Sequence, residues 1–159
     1  MTPAIRALAA ADVEYRLLEY DRGESRRDFG REAAEALGLD HDQVFKTLVV
    51  TADGSEAVAI VPVSCTVGLK AVGAALGAKR VEMCDPARAQ RVTGYVLGGI
   101  SPFGQKKRLP TVIDDTSELF ETIYVSGGKR GVDVDVRTAD LIVLTDAIVA
   151  DIRFRSGGA

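Results

Sequence analysis

Apolar and polar positions along this chain change period every eight to ten residues or so, and the changes mark short helices and short strands. Thr2-Pro3 followed by AIRALAAAD reads as a helix start, with Thr2 as cap, Pro3 at the first helical position and Ile5, Leu8 and Ala9 as the apolar face. VEYRLLEY over residues 13–20 alternates as a strand with Val13, Tyr15 and Leu17 on one side. Residues 21–28 are polar around Gly23 and predict a loop, and GREAAEALG over 30–38 predicts a helix closed by Gly38. A turn at 40–43 precedes the β-branched run VFKTLVVT (44–51). That run leads to Asp53-Gly54, a strong hairpin signal, and AVAIVPV (57–63) is the return strand. The near-continuous apolar character of the return strand predicts burial on both faces, with an edge or a bend at Pro62.

Further along, GLKAVGAALG (68–77) predicts a helix closed by Gly77, and KRVEMC (79–84) a brief strand. Asp85-Pro86 opens a helix that stops near Gly94. Residues 111–114 form a strand and 117–120 a turn of helix. TIYVS (122–126) and VDVDV (132–136) alternate as strands around GGKRG (127–131), a five-residue hairpin loop or a ligand loop. A helical turn over Asp140–Leu144, a last strand over Ile148–Phe154 and a loose tail at 155–159 complete the chain. Strands and helices do not alternate regularly, which predicts an α+β fold. The expectation is a curled, mixed, mostly antiparallel sheet forming a partly closed barrel, with short helices packed outside. Loops 98–110 and 127–131 would border a groove at its mouth. With no internal repeat and no linker, residues 1–159 read as a single domain.

Composition narrows the function classes. Apolar residues make up 47% and charged residues 27%, ordinary for a globular protein. No run is long enough to span a bilayer and the N-terminus lacks a signal-peptide layout, so a cytoplasmic protein with no membrane partner is expected. Cys65 and Cys84 give neither metal spacing nor a disulfide framework, and His41 is the single histidine. No metal is expected. The net charge of -3 argues against wholesale adhesion to nucleic acid but leaves room for a local basic patch.

One stretch stands apart. Gly98 to Pro110 holds three glycines, two prolines and the basic run Lys106-Lys107-Arg108 without an acid. Such a turn can be a plain surface loop, or it can present backbone N–H groups to an anion or a developing oxyanion. Lys46, inside the first hairpin, is either a solvent-facing lysine or an ammonium on the wall of a cleft, paired with a phosphate or carbonyl oxygen.

The VFKTL around Lys46, ALGAKRVEMCDP, TGYVLGGISPFGQKKRLPTVID and YVSGGKRG together resemble the YbaK/EbsC family over about residues 2–153. These are small stand-alone aminoacyl-tRNA deacylases related to the editing domain of bacterial prolyl-tRNA synthetase. The resemblance implies a hydrolase without cofactor that removes cysteine esterified to the terminal adenosine of proline tRNA, the substrate's own thiol attacking its carbonyl. It implies that Lys46 holds the phosphate or ribose end of the tRNA. Gly98, Gly99 and Ser101 would hydrogen-bond the ester carbonyl, with Pro102 fixing the turn. Tyr20, Phe29 and Ile100 would border the substrate, and Asp135 and Val136 would lie on a pocket-lining strand, Asp135 receiving the amino group. Lys106, Lys107, Arg108, Lys129 and Arg130 would contact tRNA, with prolyl-tRNA synthetase as a further partner. Phe45 and Phe103 stand where Tyr and Leu are equally expected, and Phe103 would bear on pocket size. Two rivals stay open: a deacylase for Ala-tRNA(Pro) or another small mischarged residue, and a non-catalytic module binding tRNA or the synthetase.

Overall fold

The computed structural model describes residues 1–21 and 29–155. Most of the loop expected at 21–28, and the tail beyond Arg155, lie outside them. The first helix, α1 (Pro3–Ala10), begins as its capping residues dictate: Thr2 Oγ1 accepts a hydrogen bond from Ile5 N at 3.2 Å. Its buried positions are Ala4 and Leu8, whereas Ala9 is exposed. The helix therefore sits one position back from the expected face.

Among the described residues, eight strands form two sheets. The three-stranded sheet runs β1 (Tyr15–Glu19), β7 (Val132–Arg137), β6 (Thr122–Lys129), all antiparallel. The five-stranded sheet runs β4 (Val81–Met83), β2 (Phe45–Ala52), β3 (Ser55–Pro62), β5 (Thr111–Asp114), β8 (Ile148–Ala150). Only the β3–β5 and β5–β8 pairs are parallel. The sheets share a core, and at one corner their backbones join, where Val44 bridges Tyr124 and Tyr124 N donates to Gln43 O at 3.1 Å. The mixed, mostly antiparallel α+β architecture is as expected, but the partly closed barrel is not. Among the described residues neither sheet closes, because β4 and β8, three residues each, end the larger sheet without meeting β1.

Strand β3 is buried on both faces, as its apolar run predicts. Val58 and Ile60 face a core shared with Phe45, Val49, Phe103, Ile113 and Val134. Ala57, Ala59 and Val61 face a second one with Val50, Val72 and Ile152. Asp53 (φ +48°) and Gly54 (φ +85°) make the tight hairpin turn between β2 and β3. The helices α2 (Phe29–Leu37), α3 (Leu69–Leu76), α4 (Pro86–Thr93) and α5 (Thr138–Thr145) pack outside.

Three local expectations change. GGKRG is not a five-residue loop: Gly127 to Lys129 belong to β6, with a register shift between Ser126 and Lys129, and only Arg130-Gly131 turn. The helical turn at 140–144 is a full helix, α5. The last strand stops at Ala150, because the buried carboxylate of Asp114 takes the N–H of Ile152 at 2.9 Å and draws the chain off the ladder. No helix among the described residues is long and apolar enough to cross a membrane.

Candidate active site

A cleft of about 760 Å³ opens where the two sheets diverge. Strand β4 covers the outer edge of β2 only from Val50 to Ala52, with one more bond from Cys84 N to Val49 O. Phe45 to Leu48 therefore line the cleft along an edge that takes no ladder partner on that side among the described residues. The opposite wall comes from α2, through Phe29, Gly30 and Ala33, and from the three-stranded sheet, through Ser126 and Asp133. Gly98 and Ile100 close one side, and Met83, Cys84, Pro86 and Ala89 the other.

The glycine loop takes its shape from what it packs against. Gly98 has φ +85°, and a Cβ there would lie 2.9 Å from the ring of Phe29. At Gly99 a Cβ would lie 2.7 Å from Lys129 Cα. Only glycine lets the loop approach both the aromatic ring and the hairpin end this closely. Ser101 is fully buried; its Oγ accepts from Phe103 N at 3.3 Å and its carbonyl from Gln105 Nε2 at 3.0 Å. Gly99 N donates to Val96 O at 3.0 Å.

The structure thus brings together Lys46, Tyr20, Phe29, Gly98 and Ile100 of the residues singled out from sequence. The others lie elsewhere. Gly99 and Ser101 buttress the loop from behind. Pro102 and Phe103 face a separate cavity of about 250 Å³ beside α1 and α5, so Phe103 does not set the volume of the cleft. Val136 is in the core. Asp135 pairs with Arg16 at 3.2 Å and does not line the cleft. Lys106, Lys107 and Arg108 are exposed, their backbone folded onto the end of α4 through Lys106 N to Thr93 O and Lys107 N to Val92 O. Lys129 is exposed, whereas Arg130 is held by Glu32.

Sequence reasoning missed Asp133, Ser126 and Thr47. Asp133 is directly opposite Ser126 on β6 and Leu18 on β1, and it is 5% exposed. Burial pushes its carboxyl up to about 7. The alternation VDVDV puts Asp133 and Asp135 on one face, but only the register says which of them reaches the cleft. Thr47 Oγ1 is buried and has no hydrogen-bond partner among the described residues. Burial also raises the Tyr20 phenol, and the nearby carboxyls of Asp133 and Glu32 add to the effect. A buried acid, a lysine and a largely apolar wall suit a small ligand that carries both an ammonium and a negatively charged end.

Comparison with known proteins identifies the class. The aminoacyl-tRNA editing domain matches residues 24–144, and the chain belongs to that family. It is an aminoacyl-tRNA deacylase, a hydrolase of the ester that joins amino acid to tRNA. A protein of Enterococcus faecalis named as a candidate Cys-tRNA(Pro)/Cys-tRNA(Cys) deacylase, EbsC, is 33% identical over 152 residues, which cover 95% of this chain and 92% of that one. A proline–tRNA ligase of Elusimicrobium minutum is 28% identical over 134 residues, 80% of this chain but 22% of the ligase. The crystal structure of a candidate trans-editing enzyme for prolyl-tRNA synthetase superposes with a TM-score of 0.84 at 23% identity, covering 98% of this chain and 99% of that one. That last likeness concerns the fold.

Proposed function

We propose that the protein removes cysteine from mischarged proline tRNA, and that the cleft is where the ester is cleaved. The observation that carries this reading is the buried carboxyl of Asp133 in the same apolar cleft as Lys46. An aminoacyl ester carries an α-ammonium at one end and the first phosphate of the tRNA at the other. Asp133 takes the ammonium, a role the sequence reading placed on Asp135, and Lys46 takes the phosphate or ribose end. The ester carbonyl then lies beneath the glycine loop. The N–H of Gly99 is already used by Val96 O, so the N–H groups of Gly98 and Ile100 are the donors for the oxyanion. An ester is activated from the start, and positioning plus oxyanion stabilisation supply the chemistry without an enzyme nucleophile.

The cysteine thiol, held against the apolar wall, attacks its own carbonyl carbon; the C–S bond forms, the C–O bond to the ribose breaks, the thiol proton passes to the departing ribose oxygen, and water opens the resulting thiolactone to free cysteine. Proline tRNA is the nucleic-acid partner and prolyl-tRNA synthetase the protein partner; the synthetase relatives that carry a similar segment support the second. Exposed Lys106, Lys107, Arg108 and Lys129 serve the tRNA backbone. The test compares Cys-tRNA(Pro) with Ser-tRNA(Pro). Cysteine release at least tenfold faster than serine release is expected. Equal rates would remove the thiol mechanism and leave an ordinary hydrolase.

A further inference from the structure

The turn between β6 and β7 is tied to three separate parts of the cleft. Arg130 makes a two-pronged ion pair with Glu32 of α2, Nε to Oε1 at 3.0 Å and Nη2 to Oε2 at 2.7 Å. Both side chains are largely buried, with 18% and 13% exposed. The same guanidinium lies 4.7 Å from the centre of the Phe29 ring. Phe29 and Glu32 are three residues apart on α2, so they share the face that looks toward the turn. The ring also packs against Gly98, the position where no Cβ fits. Finally, Gly131 O accepts from Tyr20 N at 3.0 Å, and Gly99 rests on the backbone of Lys129 and Arg130. One guanidinium therefore joins the hairpin, α2 and the aromatic wall opposite β2.

We propose that Glu32 and Arg130 are positioning residues of the deacylase: their ion pair fixes Phe29 against Gly98 as a rigid wall of the cleft, and Arg130 acts there rather than as a phosphate contact. The proposal rests on the deacylase reading for its catalytic consequence alone. Arginine suits the role because its planar fork binds a carboxylate at two points while its face stacks on an aromatic ring. Lysine offers a point charge without the fork, so Arg130→Lys does not replace it.

The test combines Glu32→Gln, Arg130→Gln, their double variant and Arg130→Lys in aminoacyl-tRNA hydrolysis, with thermal unfolding to confirm that each folds. A displaced wall lowers kcat on the order of tenfold in each single variant with KM changed less. The double variant should be no worse than the weaker single one, since each removes the same contact. The salt dependence of tRNA binding should keep the wild-type slope in all four. A shallower salt slope for Arg130→Gln, with Glu32→Gln fully active, would overturn the proposal and make Arg130 a tRNA contact. A second readout needs no substrate. The chain has no tryptophan, so Phe29→Trp is a unique fluorophore, and acrylamide quenching of it should rise when Glu32→Gln is added. Unchanged quenching overturns the clamp. Increased quenching in a protein that releases no amino acid from any ester supports the clamp and removes the deacylase reading instead.

Discussion

Alanine at Gly98 probes the packing that frames the cleft. The residue has φ +85°, and a Cβ built on it lies 2.9, 3.0 and 3.1 Å from three atoms of the Phe29 ring. Two costs combine. Left-handed backbone costs an L residue about 1–2 kcal/mol. Contacts this short force the ring or the loop to move, and overpacking of that kind costs about 1–3 kcal/mol. The expected destabilisation is therefore about 2–5 kcal/mol, against a total stability of about 5–15 kcal/mol for a domain of this kind. Gly77 supplies the control, because it has φ +72° with nothing within 4 Å of its Cβ. Gly77→Ala should show only the backbone cost, about 1–2 kcal/mol. Denaturant unfolding with an unchanged m-value measures the difference between the two variants. Deacylation adds a second readout: a ring pushed about 1 Å into the cleft lowers kcat/KM on the order of a hundredfold, and Gly77→Ala leaves it at the wild-type value. If both variants lose the same stability and keep the same activity, Phe29 does not pack on Gly98 and the geometry of the cleft is wrong.

Other consequences follow from buried charge. Asp133 is pushed up to about 7 in the folded protein from an ordinary value of 3.8. Its contribution to stability is fully present below about pH 4 and is lost as pH rises through about 7, a swing on the order of 4 kcal/mol for one buried group. Asp133→Asn should flatten that part of the stability profile in urea unfolding measured across pH, and it should weaken kcat/KM most above pH 7, where the wild-type carboxylate is ionised. An unaltered profile would mean that the carboxyl is not desolvated. Asp114 is fully buried, accepts from Ile152 N at 2.9 Å and lies 3.2 Å from Arg153 Nε. Asp114→Ala should cost about 3 kcal/mol, read from the denaturant midpoint, because it leaves a buried N–H unpaired and takes from Arg153 its buried partner, leaving only the exposed Asp151 at 3.4 Å.

Local signals in the sequence were read well because their causes are local. Thr2-Pro3, Asp85-Pro86, Asp53-Gly54 and Gly77 each fix a cap or a turn within four residues, and α1, α4, the β2–β3 hairpin and the end of α3 follow from them. The α+β class followed from the order of elements. Long-range register was not readable. Whether the sheet closes depends on which strand ends meet, and the choice between Asp133 and Asp135 depends on pairing with Ser126 across the hairpin. Val13, Tyr15 and Leu17 alternate, yet Leu17 is 42% exposed because the three-stranded sheet leaves that position open. From sequence, Arg130 reads as a tRNA contact in GGKRG. Its partner Glu32 is 98 residues away in sequence, and no local pattern connects the two.

The central claim is tested most directly by release of labelled amino acid from Cys-tRNA(Pro), Ala-tRNA(Pro) and Pro-tRNA(Pro), with Lys46→Ala measured alongside. The account predicts fast release from the cysteine ester alone, lost in the variant. Release from the alanine ester in place of cysteine would contradict the substrate and the thiol mechanism. No release from any ester, with tRNA binding intact, would contradict the assignment of the cleft as the site of hydrolysis.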